Sequence, residues 1–130
     1  MKLGIAMKPA MWSDQHLKLA RQLGCESVVA WVPFDEGDGI WHEEQFRALA
    51  VQAEKYGLKL EAIENFHPAH WDHIVLDEPG KEEQIKNICE TIRNAGRAGI
   101  RFFGYNFSAC GVQGYYTDYT NGNQDGRGLA

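Results

Sequence analysis

Three times in 130 residues an amphipathic stretch stops on a glycine, and a short apolar run begins within three residues. The joints are Gly24 before SVVAWV, Gly57 before LKLEAI and Gly99 before IRFF. A glycine suits such a place because a residue at a helix C-terminus often needs positive φ. A further apolar run, Lys2 to Ala6, precedes the first helical stretch. The order is therefore strand, helix, strand, helix, strand, helix, strand, with gaps long enough for crossover helices. That alternation predicts an α/β protein with one parallel sheet and right-handed connections, built from four βα steps.

Pro9 ends the first run, and Ser13 or Asp14 caps a helix with Leu17, Ala20 and Leu23 on one face. Glu26 to Val32 is β-branched and aromatic, as a strand buried on both faces would be. The loop PFDEGDGIW that follows is acidic but lacks the ligand spacing of an EF-hand, so it reads as solvated. A helix over Glu43–Tyr56 places Phe46, Leu49, Ala50 and Ala53 inward, with Glu44, Gln45, Gln52 and Lys55 wet. Leu58 to Ile63 is the third strand, and HPAHWDHIVL after it a short extra helix or turn. Past Pro79, with Glu82 and Glu83 in its first turn, another helix carries the apolar stripe Ile85, Ile88, Cys89 and Ile92. Arg93 and Arg97 sit near its C-terminal end, and Gly96 and Gly99 thin the chain before a fourth strand, Ile100 to Phe103. Residues 108–130 are rich in glycine, tyrosine and asparagine without a period, which predicts a long loop.

Charge and composition exclude several classes. Thirteen basic and eighteen acidic side chains give a net charge of −5 with no basic run, unlike a nucleic-acid surface. No apolar stretch reaches the eighteen residues of a membrane span, and the N-terminus lacks a signal-peptide pattern. Cys25, Cys89 and Cys110 form no CxxC pair, so neither a disulfide framework nor a zinc ribbon is expected. These features fit a reduced, cytoplasmic protein.

In parallel α/β folds ligands bind at the carboxyl ends of the strands. The third strand opens at once into Glu64, Asn65, His67 and His70, and the fourth into Tyr105 and Asn106. Glu64, Asn65, His70, Tyr105 and Asn106 are therefore the candidate substrate-side residues. Glu64 could instead cap the following turn, and Asn106 could make an Asx-turn. His67, His70 and His73 recur every third residue, which would suit chelation along a helix, but helical zinc motifs use HExxH spacing. The preferred reading aims His70 at the open end of the sheet and leaves His67 and His73 on the surface. Cys110 has no neighbour that would activate it and reads as a small packed residue.

The runs KLEAIENFHPAHW, EEQIKNICETIRNAGRAGI, GYNFSACGV and LKLARQLGCESVVAWVP together resemble the mannonate dehydratase family, collinearly over nearly the whole chain. The resemblance implies a xylose-isomerase-like (β/α)8 TIM barrel that dehydrates D-mannonate to 2-dehydro-3-deoxy-D-gluconate in hexuronate catabolism. It also implies manganese or another divalent metal, whose histidine, cysteine and aspartate ligands belong to later strands, so no position here inherits that role. Two places depart from the family pattern: Gly111, Val112 and Gln113 stand where GVW is expected, and His67 where an acid is expected. A complete barrel needs eight strands and typically about 250 residues, so the chain reads as an N-terminal half.

The implied reaction removes the proton beside a carboxylate and expels the neighbouring hydroxyl as water. It needs groups that hold the polyol and stabilise an enediolate. The partner is thus a small sugar acid, and open sheet edges suggest a homo-oligomer. Two other readings stay open: a non-catalytic sugar-binding or oligomerising remnant, and a sugar isomerase or epimerase on the same barrel.

Overall fold

Each glycine-closed joint is a helix-to-strand turn in the structure, a computed structural model that describes residues 2–33 and 37–106 and the backbone of strands at 115–117 and 127–129. Gly57 has φ +68°, and Gly24 and Gly99 have +87° and +84°, a region that side chains with a Cβ rarely enter. The four strands β1 (Gly4–Met7), β2 (Ser27–Ala30), β3 (Lys59–Glu64) and β4 (Phe102–Gly104) pair in parallel, in chain order. Helices α1 (Asp14–Gln22), α2 (Glu43–Glu54), α3 (Asp72–Leu76) and α4 (Lys81–Arg97) lie between them. Among the described residues no helix is long and apolar enough to cross a membrane.

The helices begin and end for identifiable reasons. Ser13 Oγ accepts from the His16 amide to cap α1, and Gln45 Oε1 accepts from the His42 amide at 2.7 Å at the start of α2. At the end of α4 the Arg97 carbonyl accepts from Arg47 Nη2 at 2.9 Å. Gln52, expected to be merely wet, ties α2 to α1 by accepting from Trp12 Nε1 and donating to Asp14.

Neighbouring positions along the strands face opposite sides. Met7, Ala30, Ile63 and Phe103 lie on one row of the sheet and pack with Leu17, Ala20, Phe46, Leu49 and Ala53 of the helices. The next row, Ala6, Val29, Ala62 and Phe102, points away from that core and is half-buried or exposed. The run Glu26–Val32, expected to be buried on both faces, is thus buried on one face only, because these helices all cover the same side. In the run Lys2–Ala6 only Ile5 is half-buried, the rest being exposed. Between Val28 and Val29 the register skips Glu61, which pairs with Lys59 Nζ at 3.1 Å on the less covered face.

The expectations for α4, for Leu23 and for the stretch after 108 need correction. The stripe Ile85, Ile88, Cys89 and Ile92 is not the buried side of α4: Ile88 is half-buried and the other three are exposed. Thr91, Asn94 and Ala95 are buried instead. Gly96 lies inside α4, and Leu23 is exposed at the end of α1. After 108, strands β5 (Tyr115–Thr117) and β6 (Arg127–Leu129) pair antiparallel in a sheet of their own.

Candidate functional site

The carboxyl ends of β3 and β4 are locked side by side. Glu64 is the register partner of Gly104, and the Asn65 amide donates to the Gly104 carbonyl at 3.0 Å. Tyr105 and Asn106 are the next two residues, so Glu64, Asn65, Tyr105 and Asn106 share one rim. Glu64 and Asn65 are half-buried there, while Tyr105 and Asn106 are exposed.

Asn65 has φ +57°, a left-handed turn that asparagine tolerates better than most residues. The turn takes the chain out of the sheet and drops Phe66 into the core, stacked 4.5 Å from Phe103 and 5.5 Å from Trp41. His67 then caps a 3-10 turn, Pro68–His70, its Nδ1 accepting from the Ala69 amide. That turn folds His70 inward. Its ring is only 4% exposed, 4.6 Å from the Trp41 indole and 5.9 Å from Phe66. A carbonyl only accepts, so the 3.2 Å contact of His70 Nδ1 with the His67 oxygen is made by a protonated Nδ1. His70 was expected to point outward at the open end; the structure packs it among aromatic rings.

The other two histidines are committed elsewhere. His67 is exposed, and His73 Nδ1 contacts the Pro79 carbonyl at 2.7 Å. Among the described residues no three His, Cys, Asp or Glu side chains gather as a metal-binding group. Cys110 lies outside the described residues.

Polar residues of α4 hold the loops that leave β2 and β3, a feature sequence reasoning missed. Gln84 Nε2 donates to Asp72 Oδ1 at 2.6 Å and to the Ala69 carbonyl at 3.0 Å, while its Oε1 accepts from the Ile74 amide. Asn87 Nδ2 donates to the Asp38 carbonyl at 3.2 Å. Thr91 Oγ1 accepts from the Trp41 amide at 3.1 Å, and Asn94 Nδ2 donates to the Trp41 carbonyl at 3.0 Å. Positions 84, 87, 91 and 94 recur at helical spacing, which is the signal that could have exposed them. The hydrogen bond from Gln84, helped by the His73 amide, holds the Asp72 carboxyl below its usual range against the opposing effect of burial. On the far side, Arg97 and then Arg93 lower the pKa of Glu90 by hydrogen bonding.

Beside the rim an apolar groove of about 470 Å³ is lined by Phe66, Ile88, Ile92, Phe103 and Tyr105.

The family profile described as D-mannonate dehydratase (UxuA) matches residues 1–128. The chain belongs to the D-mannonate dehydratase family. The mannonate dehydratase of Thermotoga petrophila is 42% identical over 93 residues, covering 70% of this chain and 25% of that protein. That of Lactococcus lactis subsp. lactis is 35% identical over 92 residues, with 69% and 25% covered. The crystal structure of mannonate dehydratase from Streptococcus suis serotype 2 superposes with a TM-score of 0.68 at 28% identity, over 82% of this chain and 30% of that one. A xylose isomerase domain protein from Planctomyces limnophilus matches in fold alone, with a TM-score of 0.54 at 13% identity, over 78% of this chain and 39% of that one.

These likenesses make the four-stranded sheet part of a TIM-barrel type of fold. The chain spans about a quarter of the length of the Thermotoga and Lactococcus mannonate dehydratases, less than the half that four of eight strands suggests.

Proposed function

We propose that this chain supplies part of the sugar-acid pocket of a D-mannonate dehydratase, which converts D-mannonate to 2-dehydro-3-deoxy-D-gluconate in hexuronate catabolism. The observation that carries the reading is the parallel pairing that puts Glu64 and Asn65 beside Tyr105 and Asn106 at one strand-end rim. In the reaction C2 loses its proton, the electron pair forms the C2–C3 double bond, and the C3 hydroxyl leaves as water. The resulting enol becomes the 2-keto product. Glu64 accepts hydrogen bonds from hydroxyls, and the amides of Asn65 and Asn106 both donate and accept, which orients the polyol chain. Tyr105 adds a phenol and an apolar ring face.

The family also points to manganese or another divalent metal, which would stabilise the enediolate as a Lewis acid. The described residues do not fit such an ion, because the rim offers one carboxylate and two amides while His70 is packed among aromatic rings. Its ligands are assigned to parts of the family's barrel beyond these strands, and the chain alone is proposed to be inactive. A cytoplasmic setting and self-association complete the reading. A non-catalytic, oligomerising role draws support from the apolar groove beside β4.

The test replaces the matching segment of the Streptococcus suis enzyme with residues 1–106. Glu64→Gln or Asn106→Ala should then lower turnover of D-mannonate at least about tenfold, in line with losses of positioning and proton-transfer groups. The melting temperature should change little. Turnover unaffected by either substitution would sink the assignment.

A further inference from the structure

Trp41 is 2% exposed, yet its indole Nε1 has no hydrogen-bond acceptor among the described residues. The polar tip of the ring therefore does not set its orientation. Its backbone is what is gripped, at the amide by Thr91 and at the carbonyl by Asn94. Both gripping side chains are buried, at 0% and 6% exposure. A buried hydroxyl or amide is costly unless bonded, and here each bonds a buried Trp41 backbone group that would otherwise lack this partner. So α4 gives two core positions to holding one residue of the loop after β2. The held ring lies 4.6 Å from His70 and 5.5 Å from Phe66, the two residues that follow the end of β3 into the core.

We propose that Thr91 and Asn94 are positioning residues for the sugar-acid site. They hold Trp41 so that its ring fixes Phe66 and His70, residues of the loop that leaves the rim at Asn65. This inference rests on the reading of that rim as the site. The chain of contacts runs from α4 through the β2 loop to the β3 loop, so one outer helix sets the relative placement of both loops.

The experiment is an NMR study of the 130-residue chain with labelled histidine and tryptophan. Trp41 and Phe66 shift the His70 ring protons away from their positions in free imidazole. In Thr91→Val and Asn94→Leu those resonances should move toward the free values, together with the Trp41 indole signal, while the methyls of Leu17 and Val28 stay in place. Thr91→Ser should restore the wild-type positions. Should the apolar variants fail to fold, Asn94→Asp keeps the shape but replaces the donor facing the Trp41 carbonyl with an acceptor, and it should give the same displacement. His70 resonances that stay unchanged in folded variants overturn the proposal. Turnover of D-mannonate by the Streptococcus suis chimaera separates the two ideas. If Glu64→Gln and Asn106→Ala leave it unchanged although the Thr91 and Asn94 variants displace His70, the site reading falls and the clamp stands.

Discussion

At φ +57° Asn65 sits where most side chains lose about 1–2 kcal/mol, and asparagine loses less because its short amide bonds locally. The same residue carries one of the amides assigned to substrate, so strain and function can be separated by substitution. Asn65→Gly should keep or slightly raise the melting temperature, since glycine enters this region freely. Asn65→Val should cost about 1–2 kcal/mol. With the amide on the substrate, the glycine variant of the chimaeric enzyme should turn over D-mannonate more slowly despite its intact fold. Equal melting of the glycine and valine variants would contradict the backbone argument. Arg93 offers the opposite contrast, because its 3.2 Å pair with Glu90 is exposed. Arg93→Ala should cost no more than about 1 kcal/mol and leave turnover of the chimaeric enzyme unchanged, as thermal melts and rate assays would show.

Among the elements, α4 bears most on the site, and its bond from Gln84 to Asp72 gives a pH-dependent test. The folded Asp72 pKa lies below its ordinary 3.8. The unfolded chain therefore takes up that proton first as pH falls. The bond's contribution is complete above about pH 4 and is lost as pH drops through the folded value. Gln84→Ala should cost about 1–2 kcal/mol at neutral pH, and its melting temperature should draw closer to that of the wild type in acid, the bonds to Ala69 and Ile74 keeping a residual gap. Parallel melting curves down to pH 2.5 would rule the linkage out. The sequence shows much of this architecture and conceals its inner detail. Gly24, Gly57 and Gly99 betray the helix ends, and the polar burst after Ile63 betrays the rim. The inward stripe of α4 was concealed because Gln84, Asn87, Thr91 and Asn94 look like a solvent face, while Ile85, Ile88 and Ile92 look like a core face. Hydrophobic periodicity finds an apolar stripe without saying what covers it, and loop carbonyls that need donors leave no mark in composition. His70 was legible as a candidate, but its burial depends on Trp41, which is distant in sequence.

For the whole molecule, that misread stripe becomes a statement about association. The strand order leaves β1 and β4 as the two edges of the parallel sheet. Beside the β4 edge, Ile88, Ile92, Phe66, Phe103 and Tyr105 line the apolar groove, and Phe102 is 60% exposed. Unpaired strand edges next to apolar surface favour pairing with another chain. A four-stranded parallel sheet has one edge of each kind, so a second copy could set its β1 against this β4 in the same parallel sense. The 130-residue chain should therefore elute from size-exclusion chromatography, with light scattering, as a concentration-dependent dimer or larger species. Phe102→Lys places a charge on the edge strand, and Ile92→Glu places one in the groove. Because both side chains are already exposed, neither change should lower the melting temperature of the folded unit by much. Each should shift the population toward monomer, and the double variant more than either. A wild-type chain that stays monomeric to millimolar concentration would refute this association, and so would a dimer indifferent to both charges.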